Sequence, residues 1–190
     1  MTNTRSLIQR ILAGNKKAFQ TLIEENQRLV SYMVFRMVVN KADREDLCQD
    51  VFLKVYQNLS KFNFESKFST WIAKITYNTC LDFLEKEKTR CLKAHTLKLQ
   101  SHSELSEDYL PPDQYTEKKD ISLRLKSEID KMSVHFRTIL TLYHLQEMSY
   151  VEISEVMQIP EGTVKSYLFR ARKLLKQKLM VKYQKEGLWH

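Results

Sequence analysis

Residues 148–175, MSYVEISEVMQIPEGTVKSYLFRARKLL, constrain this chain more than any other stretch. Ser149 and Glu152 have the S-x-x-E spacing in which a hydroxyl and a carboxylate satisfy backbone N–H groups at a helix start. Ile153, Val156 and Met157 then recur at helical spacing and give that helix one apolar face. Pro160 and Gly162 are expected to bracket a tight turn. Proline disfavours helix at Ile159, and glycine supplies backbone angles that other residues avoid. Thr163 is expected to cap a second helix. In that helix Val164, Leu168, Ala171 and Leu175 follow at steps of four, three and four, the spacing of a buried stripe. The other side carries Lys165, Ser166, Tyr167, Phe169, Arg170 and Lys173. Two short helices, a tight turn and a basic outer face make a helix-turn-helix that can enter a DNA major groove. Arginine suits guanine edges there, serine a base or a phosphate, and lysine a phosphate.

An ordinary helical hairpin with a solvated basic face would share the pattern, and the charge separates the two readings. Residues 161–185 hold eight lysines and arginines against Glu161, a net +7, in a chain whose total is +8. A basic surface this localised is the electrostatic footprint of nucleic-acid binding.

The 190 residues suit one domain or two small ones. Three glycines and three prolines are too few for a strand-and-turn architecture, so an all-α fold is expected. Cys48, Cys80 and Cys91 show no paired spacing, which points to a reducing compartment and away from a zinc site. The N-terminal MTNTRSLIQR lacks the apolar core of a signal peptide, and no apolar run reaches membrane-spanning length. The expectation is a cytoplasmic protein without membrane insertion. Residues 101–117 carry five acids, no lysine or arginine, and the helix-breaking Pro111–Pro112 pair. This stretch is expected to be a flexible acidic linker between an N-terminal helical bundle and the C-terminal helix-turn-helix domain.

In the N-terminal half, Leu7, Ile8, Ile11 and Leu12 mark a short helix ending near Gly14. Phe19, Leu22, Ile23, Leu29, Val30, Met33 and Met37 mark a second, to about Val39. Asp43 is expected to cap a third, with Leu47, Val51, Val55 and Leu59 as its stripe. A fourth is expected from about Ser69 to Lys86, with Ile72, Ile75, Thr79 and Phe83 inward. Four such helices on short loops form a bundle.

Two features exceed what packing needs. Asp43, Glu45, Asp46, Gln49 and Asp50 cluster at the start of the third helix. They complement its dipole, and could also hold a divalent metal or dock a basic partner. The segment 60–71, SKFNFESKFSTW, interleaves aromatic, basic and amide side chains, a composition suited to single-stranded nucleic acid. Phe62 and Phe68 are read as core staples. Asn63, Phe64, Glu65 and Ser66, at the loop tip, are read as functional.

Together these segments resemble the extracytoplasmic-function (group 4) sigma factors of bacterial RNA polymerase, in the family's order and over nearly the full chain. DREDLCQDVFLKVYQNLSKF is similar to the family's polymerase-docking segment. KFSTWIAKITYNTCLDFLEKEK is similar to the segment that melts and reads the −10 element, and residues 148–175 to the −35 reader. The resemblance implies a region 2 domain at 1–92, a linker at 93–119 and a region 4 domain at 120–190. It implies that Asp46, Gln49, Asp50 and Lys54 face the clamp helices of core polymerase. It implies that Asn63, Phe64, Glu65, Ser66 and Lys67 capture a flipped −10 base, with Trp71, Lys74, Tyr77, Asn78 and Asp82 lining or supporting the melting surface. Lys165, Ser166, Phe169, Arg170 and Lys173 would face the −35 groove. The acidic linker resembles the one that threads the polymerase's RNA channel. Core polymerase (clamp helices and flap), promoter DNA and an anti-sigma factor are the implied partners. No cofactor, metal or catalytic residue is implied.

The chain departs from the family pattern in places. Trp71 is followed by Ile72 where housekeeping relatives have two tryptophans, which implies a better-matched promoter for strand opening. Met132–Ser133 stands where Leu-Pro is common, with Ser133 able to cap, and Met148 stands where glycine is common. Two other functions remain open at this point. A divalent-metal nuclease would use Asp43, Glu45, Asp46 and Asp50, though no histidine lies nearby to act as a base. A free-standing helix-turn-helix regulator would leave the N-terminal half without a task.

Overall fold

The computed structural model describes residues 4–97 and 125–183, with side chains to residue 91 in the first span and to residue 181 in the second. Helix α1 (Thr4–Leu12) turns at Gly14, whose φ of +87° is easily reached only by glycine, into α2 (Lys16–Met37). Asn15 caps α2, its side chain accepting from the Ala18 N–H at 3.0 Å. Helix α3 (Ala42–Asn58) ends in a 3-10 turn (Leu59–Lys61), and α4 (Phe68–Leu97) closes the bundle. After helical residues 125–130 come α5 (Val134–His144), α6 (Tyr150–Met157) and α7 (Glu161–Tyr183). The described residues contain no strand, so the all-α expectation holds. Of the expected linker, residues 93–97 continue α4, and 98–119 lie outside the described residues.

The apolar stripes pack as their periodicity requires. Leu7, Ile8 and Ile11 of α1 are buried, whereas Leu12 is exposed. Leu47, Val51, Val55 and Leu59 form one buried line against α2 and α4. In α4 the buried line is Ile72, Ala73, Thr76, Tyr77, Thr79 and Cys80, while Ile75 and Phe83 are half-buried. The expected stripe was thus rotated toward one side. Thr76 enters the core because its hydroxyl donates to the Ile72 carbonyl at 2.9 Å, which removes its polar cost.

Three expected caps are not made as the spacing suggested. Lys41, not Asp43, precedes α3. The Asn40 side chain accepts from the Ala42 N–H at 3.1 Å, and its amide donates to Asp43, drawing Asp43 into the first turn. Ser133 stands at the N-cap of α5 in extended backbone, but its hydroxyl makes no capping bond. Thr163 lies inside α7, where the Pro160 carbonyl accepts from the N–H groups of Thr163 and Val164.

The C-terminal helices pack on the bundle, α5 against α2 and α6 against α4. Arg137 of α5 is buried at this junction and donates to the carbonyls of Asp130 at 2.8 Å and Met37 at 3.3 Å. Arg36 of α2 pairs with Asp130. Helix α2 thereby ends against two cations from other elements, since Arg44 also donates to the Val38 and Val39 carbonyls at 2.9 Å each. Those carbonyls are among the groups a helix terminus leaves without partners.

Candidate nucleic-acid interface

The capping box at α6 forms as its spacing predicts. The Ser149 hydroxyl accepts from the Glu152 N–H, and Glu152 Oε2 accepts from the Ser149 N–H at 2.8 Å. Ile153, Val156 and Met157 are buried. The turn that follows is made differently from expectation. Gln158, at φ +55°, takes the left-handed position that ends α6, while Gly162 lies in the first turn of α7. A left-handed residue at a helix C-terminus returns the chain to the orphan carbonyls, and Gln158 N–H donates to the Ser154 carbonyl.

Helix α7 then presents two opposite faces. Val164, Leu168 and Ala171 are fully buried, with Leu175 half-buried below them. Lys165, Ser166, Phe169, Arg170 and Lys173 are all exposed, Phe169 at 68%. Phe169 therefore lies outside the core, on the same exposed arc as these cations. Lys165 lies over the Tyr150 ring at 5.7 Å and Arg170 over Tyr167 at 5.5 Å. Both cations rest on aromatic faces that leave their charge in place. Tyr167 is half-buried, edge-on to Phe136 at 6.0 Å, and belongs to the support of this face. The Ser166 hydroxyl donates to the Gly162 carbonyl at 2.9 Å. It is left to act chiefly as an acceptor.

The second cluster sits where α3 gives way to α4. Phe62 is 6% exposed and packs against Phe68 at 5.1 Å and Trp71 at 5.3 Å, so it is the staple the sequence implied. Phe64 is exposed and has φ +64°, a left-handed conformation rare for an aromatic residue. Asn63 Oδ1 accepts from the Glu65 N–H at 3.3 Å and folds the tip. Along α4, Trp71, Lys74 and Asn78 are half-buried, Asp82 is exposed and Tyr77 is buried. Burial, first, pushes the Tyr77 hydroxyl above its ordinary pKa.

This face of α4 meets the C-terminal helices. Lys67 Nζ lies 3.0 Å from Glu152 Oε1, and the Thr70 hydroxyl donates to the same oxygen at 3.4 Å. The Gln158 amide donates to Asn78 Oδ1 at 3.2 Å, and the Tyr77 hydroxyl shares a hydrogen bond with His135 Nδ1 at 3.2 Å. The Glu152 carboxyl is held down to about 2, first by the Ser149 backbone N–H and then by Lys67.

On α3, Asp46, Gln49 and Asp50 share one exposed arc, and Lys54 pairs with Asp82 of α4 at 3.5 Å. Leu53 lies on the same arc, 56% exposed. Sequence reasoning passed over it, although its position off the Leu47–Val51–Val55–Leu59 line was the available signal. Among the described residues, no group of three or more His, Cys, Asp or Glu side chains converges as a metal site would require. All three cysteines are free, and burial pushes the Cys80 thiol up to about 12. No described helix is long and apolar enough to cross a membrane.

Comparison with known proteins gives the same two units. Residues 22–90 match Sigma-70 region 2 and residues 122–175 match Sigma-70, region 4. The chain is 32% identical over 187 residues to an ECF RNA polymerase sigma-E factor of Haemophilus influenzae, covering 92% of this chain and 94% of the relative. It is 29% identical over 176 residues to the ECF RNA polymerase sigma factor SigW of Bacillus subtilis, covering 90% and 94%. In fold it is similar to the sigma factor RpoE of Bartonella quintana, solved in complex with the anti-sigma factor NepR. That likeness has a TM-score of 0.68 and 21% identity, over 87% of this chain and 98% of that one. The chain belongs to the extracytoplasmic-function sigma factors of RNA polymerase, which bind the core enzyme and direct promoter-specific initiation of transcription.

Proposed function

We propose that this sigma factor reads the −35 element with Lys165, Ser166, Phe169, Arg170 and Lys173, and the −10 element with the loop Asn63–Lys67. The observation that carries the reading is the exposed arc on α7, held in place by a buried line on the opposite side of the same helix. Arg170 and Lys165 are the base-edge candidates, Phe169 supplies apolar contact, and Ser166 and Lys173 suit phosphates. In the −10 loop Phe64 offers a stacking ring, Asn63 a hydrogen-bonding edge and Lys67 a charge for the DNA backbone, with Glu65 and Ser66 shaping the tip. Trp71, Lys74, Asn78 and Asp82 extend this surface along α4, and Tyr77 supports it from beneath.

Asp46, Gln49 and Asp50 form a docking face for the clamp helices of core polymerase. Leu53 gives that face an apolar centre, and Lys54 is held against Asp82 at its margin. A groove lined by Leu125, Ile129, Leu140, Leu175 and Met180, with Arg172 at its rim, suits the apolar flap of the same enzyme. The functional units are residues 1–92 and 120–190, joined by the acidic stretch 93–119, whose charge fits a basic RNA channel. The protein acts in the cytoplasm, has no catalysis of its own, and is held inactive by an anti-sigma factor, as the complexes of its structural relatives suggest.

Run-off transcription with core polymerase tests the reading. The full chain is expected to start transcription at one site on a two-element promoter and to co-elute with the core enzyme. Magnesium-dependent cleavage of DNA by the pure protein, without promoter-specific starts, would overturn it in favour of a nuclease.

A further inference from the structure

We propose that Arg5, in α1, belongs to the −10-reading site: its guanidinium braces the Phe64 ring and fixes the platform on which an unpaired base rests. The proposal rests on the assignment of Asn63–Lys67 as the −10 loop. The Arg5 guanidinium carbon lies over the Phe64 ring, 4.7 Å from its centroid. Arg5 is itself exposed, two residues before the buried Leu7 and Ile8 that anchor α1 to the bundle. It stands outside residues 22–90, the part of the chain that matches region 2.

Phe64 needs such a brace. Its φ of +64° is a conformation that an aromatic residue keeps only where its surroundings over-determine it. The contacts to the tip from its own segment are the Phe62 ring, 4.7 Å away, and the Asn63 side chain folding onto Glu65. Arg5 reaches the tip from a different element, fixed by its own buried residues. A cation over a ring face is attracted by the ring's quadrupole, and a guanidinium also stacks on bases and pairs with phosphate oxygens. A base arriving at Phe64 therefore meets a planar cation beside it, and α1 becomes part of the DNA-reading surface.

The test measures initiation by the full chain with core polymerase on a promoter set in which each −10 base is varied. Arg5→Ala, Arg5→Lys and Phe64→Ala are compared with the unaltered protein, with a helix melt for each. Arg5→Ala is expected to reduce discrimination at one −10 position about two- to fivefold, the size of an exposed cation–π contact. The −35 preference is expected to stay unchanged, and the melt to fall by no more than a few degrees, the size of the lost contact. Arg5→Lys, which keeps a cation over the ring, is expected to recover part of the loss, and Phe64→Ala to act at the same position. If Arg5→Ala fails to fold, Arg5→Gln replaces it. Changed −10 preference in Phe64→Ala with none in Arg5→Ala overturns the role of Arg5 and leaves the loop reading intact. No change in either variant overturns both. A uniform loss on every promoter by Arg5→Ala also overturns the proposal, since it would report general charge or structure rather than a base platform.

Discussion

Lys67 Nζ and Glu152 Oε1 stand 3.0 Å apart, so the carboxylate that completes the capping box of α6 also ties that helix to the start of α4 in the bundle. Lys67 thus meets a protein carboxylate where the proposed function gives it DNA. Two more residues proposed for the −10 surface, Tyr77 and Asn78, have partners on the same C-terminal helices. The −10 and −35 elements lie about 25 base pairs apart, or about 85 Å along a duplex at ~3.4 Å per pair. Simultaneous engagement of both is expected to need α6 released from α4, since Lys67, Tyr77 and Asn78 are held there by partners on the C-terminal helices. The 27 residues numbered 98–124 hold enough chain to span about 90 Å when extended.

Weakening this contact is therefore expected to favour an open form. Lys67→Glu sets two carboxylates against each other, and the radius of gyration from small-angle scattering is expected to rise with no change in helix content. Glu152→Lys combined with Lys67→Glu is expected to restore the original radius. If the double variant stays as expanded as the single one, the pair does not hold the two units together.

The acid dependence of Glu152 has a definite sign. Its folded value of about 2 lies below its ordinary 4.5, so its charged form stabilises the fold above pH 4.5. That stability is lost as the pH falls from 4.5 toward 2. Thermal melts of Glu152→Gln and the unaltered protein are expected to differ most near neutral pH and to converge as the pH approaches about 2. Ser149→Ala, which removes the other half of the capping box, is expected to cost about 1 kcal/mol at neutral pH. A gap between Glu152→Gln and the unaltered protein that widens in acid would contradict this assignment.

Much of this arrangement was legible in the sequence wherever a period carried it. The lines Leu47–Val51–Val55–Leu59 and Val164–Leu168–Ala171 bury as read, because each repeats every three or four residues over several turns. Caps and turns were less legible. Asn40 displaced Asp43 and Gln158 displaced Gly162, since several nearby residues can satisfy the same few backbone groups. The contacts of Arg137 with Met37 and of Lys67 with Glu152 had no signal at all. Each joins residues 85 or more positions apart with no repeating pattern behind it. The exposure of Phe64 at the loop tip was legible, whereas its left-handed backbone and its Arg5 neighbour were not.

For docking, Asp46→Lys with Asp50→Lys is expected to weaken binding to core polymerase at least tenfold while the helix melt stays within about 0.5 kcal/mol, since both sites are exposed. Leu53→Asp is expected to weaken it as well, because an apolar centre with a charged margin is how such interfaces are built. Undiminished affinity in titrations of labelled protein with core enzyme would remove this face from the interface.

If Arg170 reads a base as proposed, Arg170→Ala is expected to cost about 1–3 kcal/mol and to relax preference at one −35 position. Lys176→Ala or Lys178→Ala is expected to weaken binding to all sequences alike and to lower the salt dependence. Affinities for a set of singly substituted −35 duplexes separate the two behaviours. An unchanged −35 preference in both Arg170→Ala and Lys165→Ala would remove them as base readers.

The most direct measurement is transcription in vitro by core polymerase and this protein over a randomised promoter library, repeated with residues Asn63–Lys67 exchanged for those of a related sigma factor. The account predicts two enriched elements. The exchanged loop should change the preferred base at one −10 position, leave the −35 element as it was, and matter little on a template already opened as a bubble carrying the new base. An exchanged loop that leaves the −10 preference untouched, or that alters the −35 preference instead, would contradict it.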